Sequence, residues 1–291
     1  MGVCSLYEMG VQLNYPKYVL CNKVKNLKTL FRIGDVQIIH GSTLICEWGD
    51  DYCCFAAYDR QTKTLQNLRY ITFDCLTNSI SSNILEQIKK ETEYDKILFC
   101  SCFSQAILMP IKTYSQDNLF VERLYNEKDA VALRDNISEW GMINSYHIPT
   151  NLYKKILTAF PLACFSHVYT PSIKIYNGFA AESQVAVYIT PANFRVIVKN
   201  KGQVQLAQMY TYHVPLDVVY YLIKIVEEIE LPKDDTFIIL SGLIEQDSAL
   251  YKEMHQYFLN VHFALPPNIS LLNNELPQHF FTSMYNLAAC E

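Results

Sequence analysis

Apolar and polar positions fall into two similar groupings along this chain. In the first, TLICEW, YCCFAAYD and LQNLRYITFD read as three β-strands, short runs rich in apolar and aromatic residues separated by the polar turns GDD and RQTKT. The Gly-Asp pair of the first turn suits the positive φ angles that short hairpins favour. A helix is predicted over 78–93, with Ile80, Ile84, Leu85 and Ile88 on one side and Glu86, Lys89 and Lys90 on the other. Asn78 or Ser79 stands where it can cap the first turn. DKILFCSCF follows as a continuous apolar strand, the pattern of a sheet covered on both faces. The helix before it is long enough for a parallel crossover.

The second grouping begins near Gln184. VAVYIT, FRVIVK and QVQLAQMYTY give three strands, and Pro215 opens a helix reaching Ile229. Val219, Leu222, Ile223, Val226 and Ile229 follow helical spacing, and Asp217 lies in the first turn, where a carboxylate complements the helix dipole. TFIILSGLI is a buried strand, SALYKEMHQYF an amphipathic helix, NVHFAL a strand and LPQHFFTSMYNLAA a closing helix. Both groupings read β-β-β-α-β, which points to duplication, with chance recurrence of a common motif as the competing reading.

Between them, NEKDAVALRDNISEW places Ala130, Leu133 and Ile137 at helical spacing and ends at Gly141, a suitable C-cap, so a helix is predicted there. TNLYKKILTAF is a second helix, and CFSHVYTPSIKIYNG carries the chain from one half to the other. The expected division is an N-terminal lobe over 1–178, with 1–40 as an extension of uncertain character, and a C-terminal lobe over 179–291. Within the extension, LKTLFRIG reads as the end of a short helix.

Composition removes several classes of function. Of 291 residues, 50% are apolar and 18% charged, enough for a sizeable core, and the formal charge of −5 offers no general attraction to phosphate backbones or anionic lipid. Lys23, Lys25 and Lys28 form the densest basic cluster and read as a solvated surface. No run approaches the ~20 apolar residues of a membrane helix. The start lacks a signal-peptide pattern, and Leu6 breaks the myristoylation pattern, so a cytoplasmic location is expected. Ten cysteines without C-x-x-C spacing, mostly inside apolar runs, read as buried reduced thiols.

The duplicated β-β-β-α-β order resembles the actin-like ATPase fold shared by actin, the heat-shock chaperone ATPases, sugar kinases and the pilus-assembly protein PilM. NSYHIPTNLYKKILTAFP, PLDVVYYLIKIVEEIEL, FIILSGLIEQDSALYKEMHQYF and LPQHFFTSMYNLAACE are similar, in order and spacing, to an uncharacterised bacterial family of that fold known only as a domain of unknown function. The expected fold class is therefore α/β, a duplicated ribonuclease H-like arrangement of two lobes with a cleft between them.

That resemblance implies where a nucleotide would sit. In active members, the first β-turn of each half carries Asp and glycines that hold phosphates and hydrated Mg²⁺, and paired glycines in the second half let adenosine approach. Here EWGDDY keeps Gly49, Asp50 and Asp51 beside Trp48 and Tyr52, ITPANF has neither Asp nor Gly, and LSGLI keeps Gly242 but has Leu243 in the second glycine's place. Pro191 lacks an N–H donor. Gly49, Asp50, Asp51 and Gly242 are vestigial cofactor-binding candidates, with no catalytic residue and no metal ligand assigned. The expected protein is non-catalytic, holds no cofactor and acts through an unknown protein partner, with homo-oligomerisation open. The alternative is a divergent ATPase or kinase using ATP and Mg²⁺. Among 21 tyrosines, Tyr210, Tyr212, Tyr220 and Tyr221 cluster in the second grouping, either at a core margin or on a protein-binding face.

Overall fold

A computed structural model describes residues 27–34, 41–91, 94–113, 129–175, 182–232, 234–272 and 275–291. Within them the first grouping forms β2 (Thr43–Trp48), β3 (Tyr52–Asp59), β4 (Thr64–Phe73), α1 (Asn78–Glu91) and β5 (Lys96–Ser101), preceded by β1 (Leu27–Ile33). β2, β3 and β4 pair antiparallel in succession, and β5 returns parallel to β2, so α1 is the crossover. With β9 (Cys164–His167) beyond β5, the sheet order is β1-β4-β3-β2-β5-β9. β2 is thus an interior strand, and all six of its residues are buried. The apolar run TLICEW answers that position, since a strand covered on both faces has no solvent side to alternate with.

An insertion between β5 and β9 adds β6 (Ala106–Pro110), β7 (Ala130–Ile137) and β8 (Met142–Pro149), a separate sheet of order β6-β8-β7, and then α2 (Thr150–Ala159). α3 (Tyr169–Lys174) follows β9. The second grouping forms β10 (Ser183–Ile189), β11 (Asn193–Asn200), β12 (Gln203–Thr211), α4 (Pro215–Glu228), β13 (Thr236–Gly242), α5 (Ala249–Tyr257) and β14 (Asn260–Phe263), in sheet order β12-β11-β10-β13-β14. β15 (Ser270–Leu271) pairs with β4 of the first sheet, and α6 (Thr282–Ala289) ends the chain.

The two halves match in hydrogen bonds as well as in strand order. In the first, Gly49 N donates to Tyr52 O, Cys102 N to Trp48 O and Phe73 N to Asp51 O. In the second, Thr190 N donates to Asn193 O, Leu243 N to Ile189 O and Tyr212 N to Ala192 O. Nearly every residue is offset from its counterpart by the same number of positions. Chance recurrence of a hairpin and helix would not reproduce a turn bond and two long-range backbone contacts in nearly the same register, so duplication is the simpler account.

Four local expectations are corrected. The helix predicted over NEKDAVALRDNISEW is a strand, β7, within the described residues, followed by a 3₁₀ turn at Ser138–Trp140 that Gly141 ends with φ 62. Exposure alternates along most of β7, and β8 pairs with it along its whole length. Pairing with a waiting strand overrides the helical spacing of Ala130, Leu133 and Ile137. Asp135 then fastens this insertion to the lobe: its Oδ2 accepts from Ser166 Oγ, His167 N and Thr170 Oγ1 at 2.8, 2.8 and 2.7 Å. LKTLFRIG is likewise not a helix end, because β4 offers an edge on which it pairs as β1. The GDD turn contains no positive φ among its residues; a three-residue connection spares it the geometry that two-residue hairpins demand. At α1 the cap is Thr77, whose Oγ1 accepts from Ile80 N, rather than Asn78 or Ser79.

The end of the chain, placed with the second lobe by its sequence, packs largely on the first. Phe281, Met284, Tyr285 and Leu287 belong to the first lobe's apolar core. The fully buried Glu291 carboxylate meets Arg60, Lys96 and Thr43 there. α6 is therefore a strap that ties the lobes together. The extension over 1–26 and 35–40, with Lys23 and Lys25, lies outside the described residues. Among the described residues no helix is long and apolar enough to cross a membrane.

Gly242 shows why one predicted site residue is kept. It has φ 80, and a Cβ there would collide with the backbone O, N and C of Ile189, against which β13 is paired. Gly242→Ala is expected to destabilise the protein by about 2–4 kcal/mol, from left-handed strain and overlap together. Urea denaturation of the variant checks this, and an unchanged midpoint would remove the structural explanation for Gly242.

Candidate functional site

Two charged residues lie on strands that are otherwise apolar. Glu47 sits in β2 with 1% of its surface exposed, and Arg195 in β11 with 4% exposed. Their strands are interior in their own sheets, so the packing that buries the apolar neighbours buries these charges too. Both face the joint between the lobes.

Each has a different set of partners. Glu47 accepts from Ser283 Oγ of α6 and, at 3.5 Å, from Tyr52 OH of β3. Arg195 lies opposite Tyr188 in the β10–β11 register, and its guanidinium sits 4.0 Å from the centre of that ring. Its Nη1 donates to Cys102 Sγ of the first lobe at 3.5 Å, while Nη2 is buried with no hydrogen-bond partner. Burial pushes the Glu47 carboxyl up from its ordinary 4.5, against the opposing pull of Arg195, Ser283 and Tyr52. Burial also works against the Arg195 charge, yet Tyr52, Cys102, Glu47 and Tyr188 together hold it well above its usual range.

This cluster lies where the two first turns meet. Asp50, Asp51 and Tyr52 of the first half and Thr190 and Asn193 of the second line one cavity with Cys102, Arg195 and Met209, and its volume is about 10 Å³. That is the room of a single water. The buried Gly49 forms the turn's backbone, with its N–H already donated to Tyr52 O, so it has no free donor for a phosphate. Asp51 Oδ1 is buried without a partner, and burial raises its carboxyl. Gly242 does not line this cavity.

ATP and Mg²⁺ do not fit these residues. The cavity between the turns has room for about one water, Pro191 of the second turn has no N–H to offer, and the carboxylate beside Asp51 in the cavity wall is that of the exposed Asp50. No cluster of three or more metal-ligating side chains occurs among the described residues. Nucleophilic chemistry is equally unsupported. Burial holds the thiols of Cys46, Cys53, Cys54 and Cys100 up, which suppresses the reactive thiolate. His167 is pushed down to about 3 by burial; its Nε2 meets Phe103 O and its Nδ1 accepts from Tyr169 N, so it is a neutral structural ring.

Sequence reading brought Gly49, Asp50 and Asp51 to this place but missed Glu47, Arg195 and Ser283. The available signal was a charge inside an apolar strand, E in LICEW and R in FRVIVK. Of the clustered tyrosines, Tyr210 stacks on Tyr221 with centroids 4.7 Å apart and Tyr212 OH donates to Thr190 O, so these three form a core margin. Tyr220 alone is 59% exposed.

Residues 34–261 match a family whose description is "Protein of unknown function (DUF3822)". No curated protein shows significant sequence similarity. Among solved structures, a Bacteroides thetaiotaomicron VPI-5482 protein described as having an actin-like ATPase fold and unknown function superposes with a TM-score of 0.69 at 16% identity, covering 88% of this chain and 100% of that one. A PilM–PilN type IV pilus biogenesis complex gives 0.57 at 11% identity, covering 87% and 99%. These likenesses show the fold, an actin-like ATPase fold, and leave the activity to the site.

The raised Glu47 carboxyl has a stability consequence with a definite sign. Between the ordinary carboxylate value near 4.5 and the raised folded value, the folded state holds a proton that the unfolded state has lost. Stability contributed by the neutral carboxyl is present below that window and is lost as pH rises through it. Glu47→Gln, which keeps the shape and cannot ionise, is expected to gain on the parent protein as pH rises from about 4 to 8. Parallel urea titrations measure it; a stability difference that stays flat with pH would show that Glu47 carries the same charge state folded and unfolded.

Proposed function

The chain belongs to the DUF3822 family of proteins of unknown function, and we propose that it is a non-catalytic derivative of the actin-like ATPase fold that acts through contacts with another protein. The observation that supports this most directly is the 10 Å³ left between the two turns that would have to hold a triphosphate. Phosphoryl transfer is almost entirely positioning and electrostatic stabilisation. Loss of one preorganised donor already costs about 10²–10³ in rate, and here neither turn presents its donors to a cavity of phosphate size.

The buried polar cluster strengthens the reading. Glu47, Arg195, Tyr52 and Ser283 join β2, β3, β11 and α6 in the space through which a nucleotide's phosphates would enter. Opening that space would take Ser283 from Glu47 and Cys102 from Arg195, and a buried polar group left without its partner is costly. A lobe movement driven by nucleotide, the working principle of the active fold, has been replaced by a closed joint.

What remains for interaction is surface. Val214 and Leu216 at the start of α4 are 51% and 53% exposed, and Tyr220 stands one turn on. They lie beside the second turn, to which Tyr212 is bonded. An apolar cluster of this kind on the outside of a helix is a feature of protein-binding faces. The PilM–PilN structure is a case in which a protein of this fold is held in a complex with another protein, and this chain is proposed to work in the same general manner with its own partner.

The rival reading is a divergent ATP- and Mg²⁺-dependent enzyme that uses Asp51. Thermal melting with Mg-ATP separates them. A ligand selective for the native state at a hundredfold excess over its Kd adds about 2.7 kcal/mol, which moves the midpoint by roughly 5–10 °C in a chain of this size. The expected shift with millimolar Mg-ATP is under ~1 °C; one of several degrees that vanishes in Asp51→Ala would favour the enzyme.

The contact half of the reading is checked separately. Leu216→Asp and Tyr220→Asp, both at exposed positions, are expected to leave stability within about 0.5 kcal/mol. They should also remove the protein that co-purifies with the tagged parent chain from its native cell. Retention of that partner by both variants would move the interaction away from α4.

A further inference from the structure

A second cavity, of about 80 Å³, lies on the other side of Arg195 from the hairpin turns. It is a half-open cavity lined by the parts that meet at the joint: α3 and its C-cap through Tyr169 and Ile175, β10 and β11 through Ala186 and Ile197, β13 through Ile239, the segment after β14 through Ala264 and Leu265, and α6 through Ser283 and Asn286. Its wall is mainly apolar. At the 10–15 Å³ that one water-sized probe requires, this is room for roughly five to eight non-hydrogen atoms.

One residue of that wall carries an unsatisfied donor. Arg195, 4% exposed, lines both cavities. Its Nη1 is committed to Cys102 on the hairpin side, and its ring face to Tyr188. Nη2 has no acceptor, and the donors that Glu47 receives are Ser283 and Tyr52 rather than Arg195. A buried guanidinium donor without a partner is costly, and an oxygen acceptor of a guest would satisfy it in a geometry suited to carboxylate. Other wall hydroxyls are already engaged: Ser241 Oγ donates to Val187 O and Thr282 Oγ1 to His279 O.

We infer that this chamber binds a small monocarboxylate with a short aliphatic tail, its carboxylate on Arg195 and its tail against Ile197, Ile239 and Leu265. The guest touches both lobes and the α6 strap at once, so its presence stabilises their closed arrangement by mass action. The site lies beside the place that a nucleotide would occupy and does not depend on whether the chain has lost ATPase activity.

The test uses the full chain and isovalerate as probe, with 3-methylbutan-1-ol as a neutral molecule of the same shape, both titrated calorimetrically and by saturation-transfer NMR. Isovalerate is expected to bind saturably and at least about tenfold more tightly than the alcohol, the worth of a charged hydrogen bond. Arg195→Met should abolish that preference while leaving the weak binding of the alcohol, and Ala264→Phe, which fills the chamber and leaves Arg195 in place, should abolish both. Equal binding of acid and alcohol, or undiminished isovalerate binding by either variant, overturns the inference. So does an intact chain that binds no isovalerate at millimolar concentration. If Arg195→Met does not fold, the acid–alcohol comparison and Ala264→Phe decide the matter without it.

Discussion

Glu47 and Arg195 have left water on interior strands of two different lobes, and the rest of the molecule is arranged so that they can stay there. Moving a charged group out of water carries an effective penalty of several kcal/mol even after the protein relaxes. It is tolerated here because Ser283, Tyr52, Tyr188 and Cys102 arrive from α6, β3, β10 and the end of β5 to surround the two groups. The contacts to Ser283 and Cys102 form only when the closing helix has packed on the first sheet and the two sheets have met. The cluster therefore ties the relative position of the lobes to contacts made across the joint.

That constraint gives α6 its place. A helix at the end of a two-lobed chain could pack on either lobe. This one sends Phe281, Met284 and Leu287 into the first lobe's core, while Ser283 reaches Glu47, and Glu291 is gripped by Arg60 and Lys96. The insertion is held in a similar way, by one carboxylate, Asp135, that gathers four donors from β8, β9 and α3. In both cases a few polar groups fix the position of elements whose apolar faces alone would fit several arrangements.

The duplication gives the fold two turns with one backbone design and different chemistry. Gly49–Tyr52 and Thr190–Asn193 make equivalent hydrogen bonds to equivalent strands, yet one carries two aspartates and the other a proline and an alanine. The backbone is conserved between the halves because the sheet needs the turn. The side chains differ because the small polar cavity between them asks only for a water-sized fit. Gly242 belongs with the backbone requirement. It resembles a nucleotide residue in sequence, and its close approach to Ile189 explains it without one.

The order of strands and helices within the two repeated units, the repeat itself and the interior character of β5 and β13 were determined by the sequence, because burial on both faces leaves a continuous apolar run. So were the helices whose polar sides stay in water, such as α1 and α4. β7 and β1 were not legible in this way: each is short and ambiguous in period, and a partner distant in the chain decided between helix and strand by offering an edge to pair with. The meeting of Glu47, Arg195 and Ser283 was decided only by tertiary structure. These residues lie far apart along the chain, and a lone charge in an apolar run carries no mark of the group that will face it. Spacing along a chain reports which side of an element is buried; what that side is buried against is set when the elements pack.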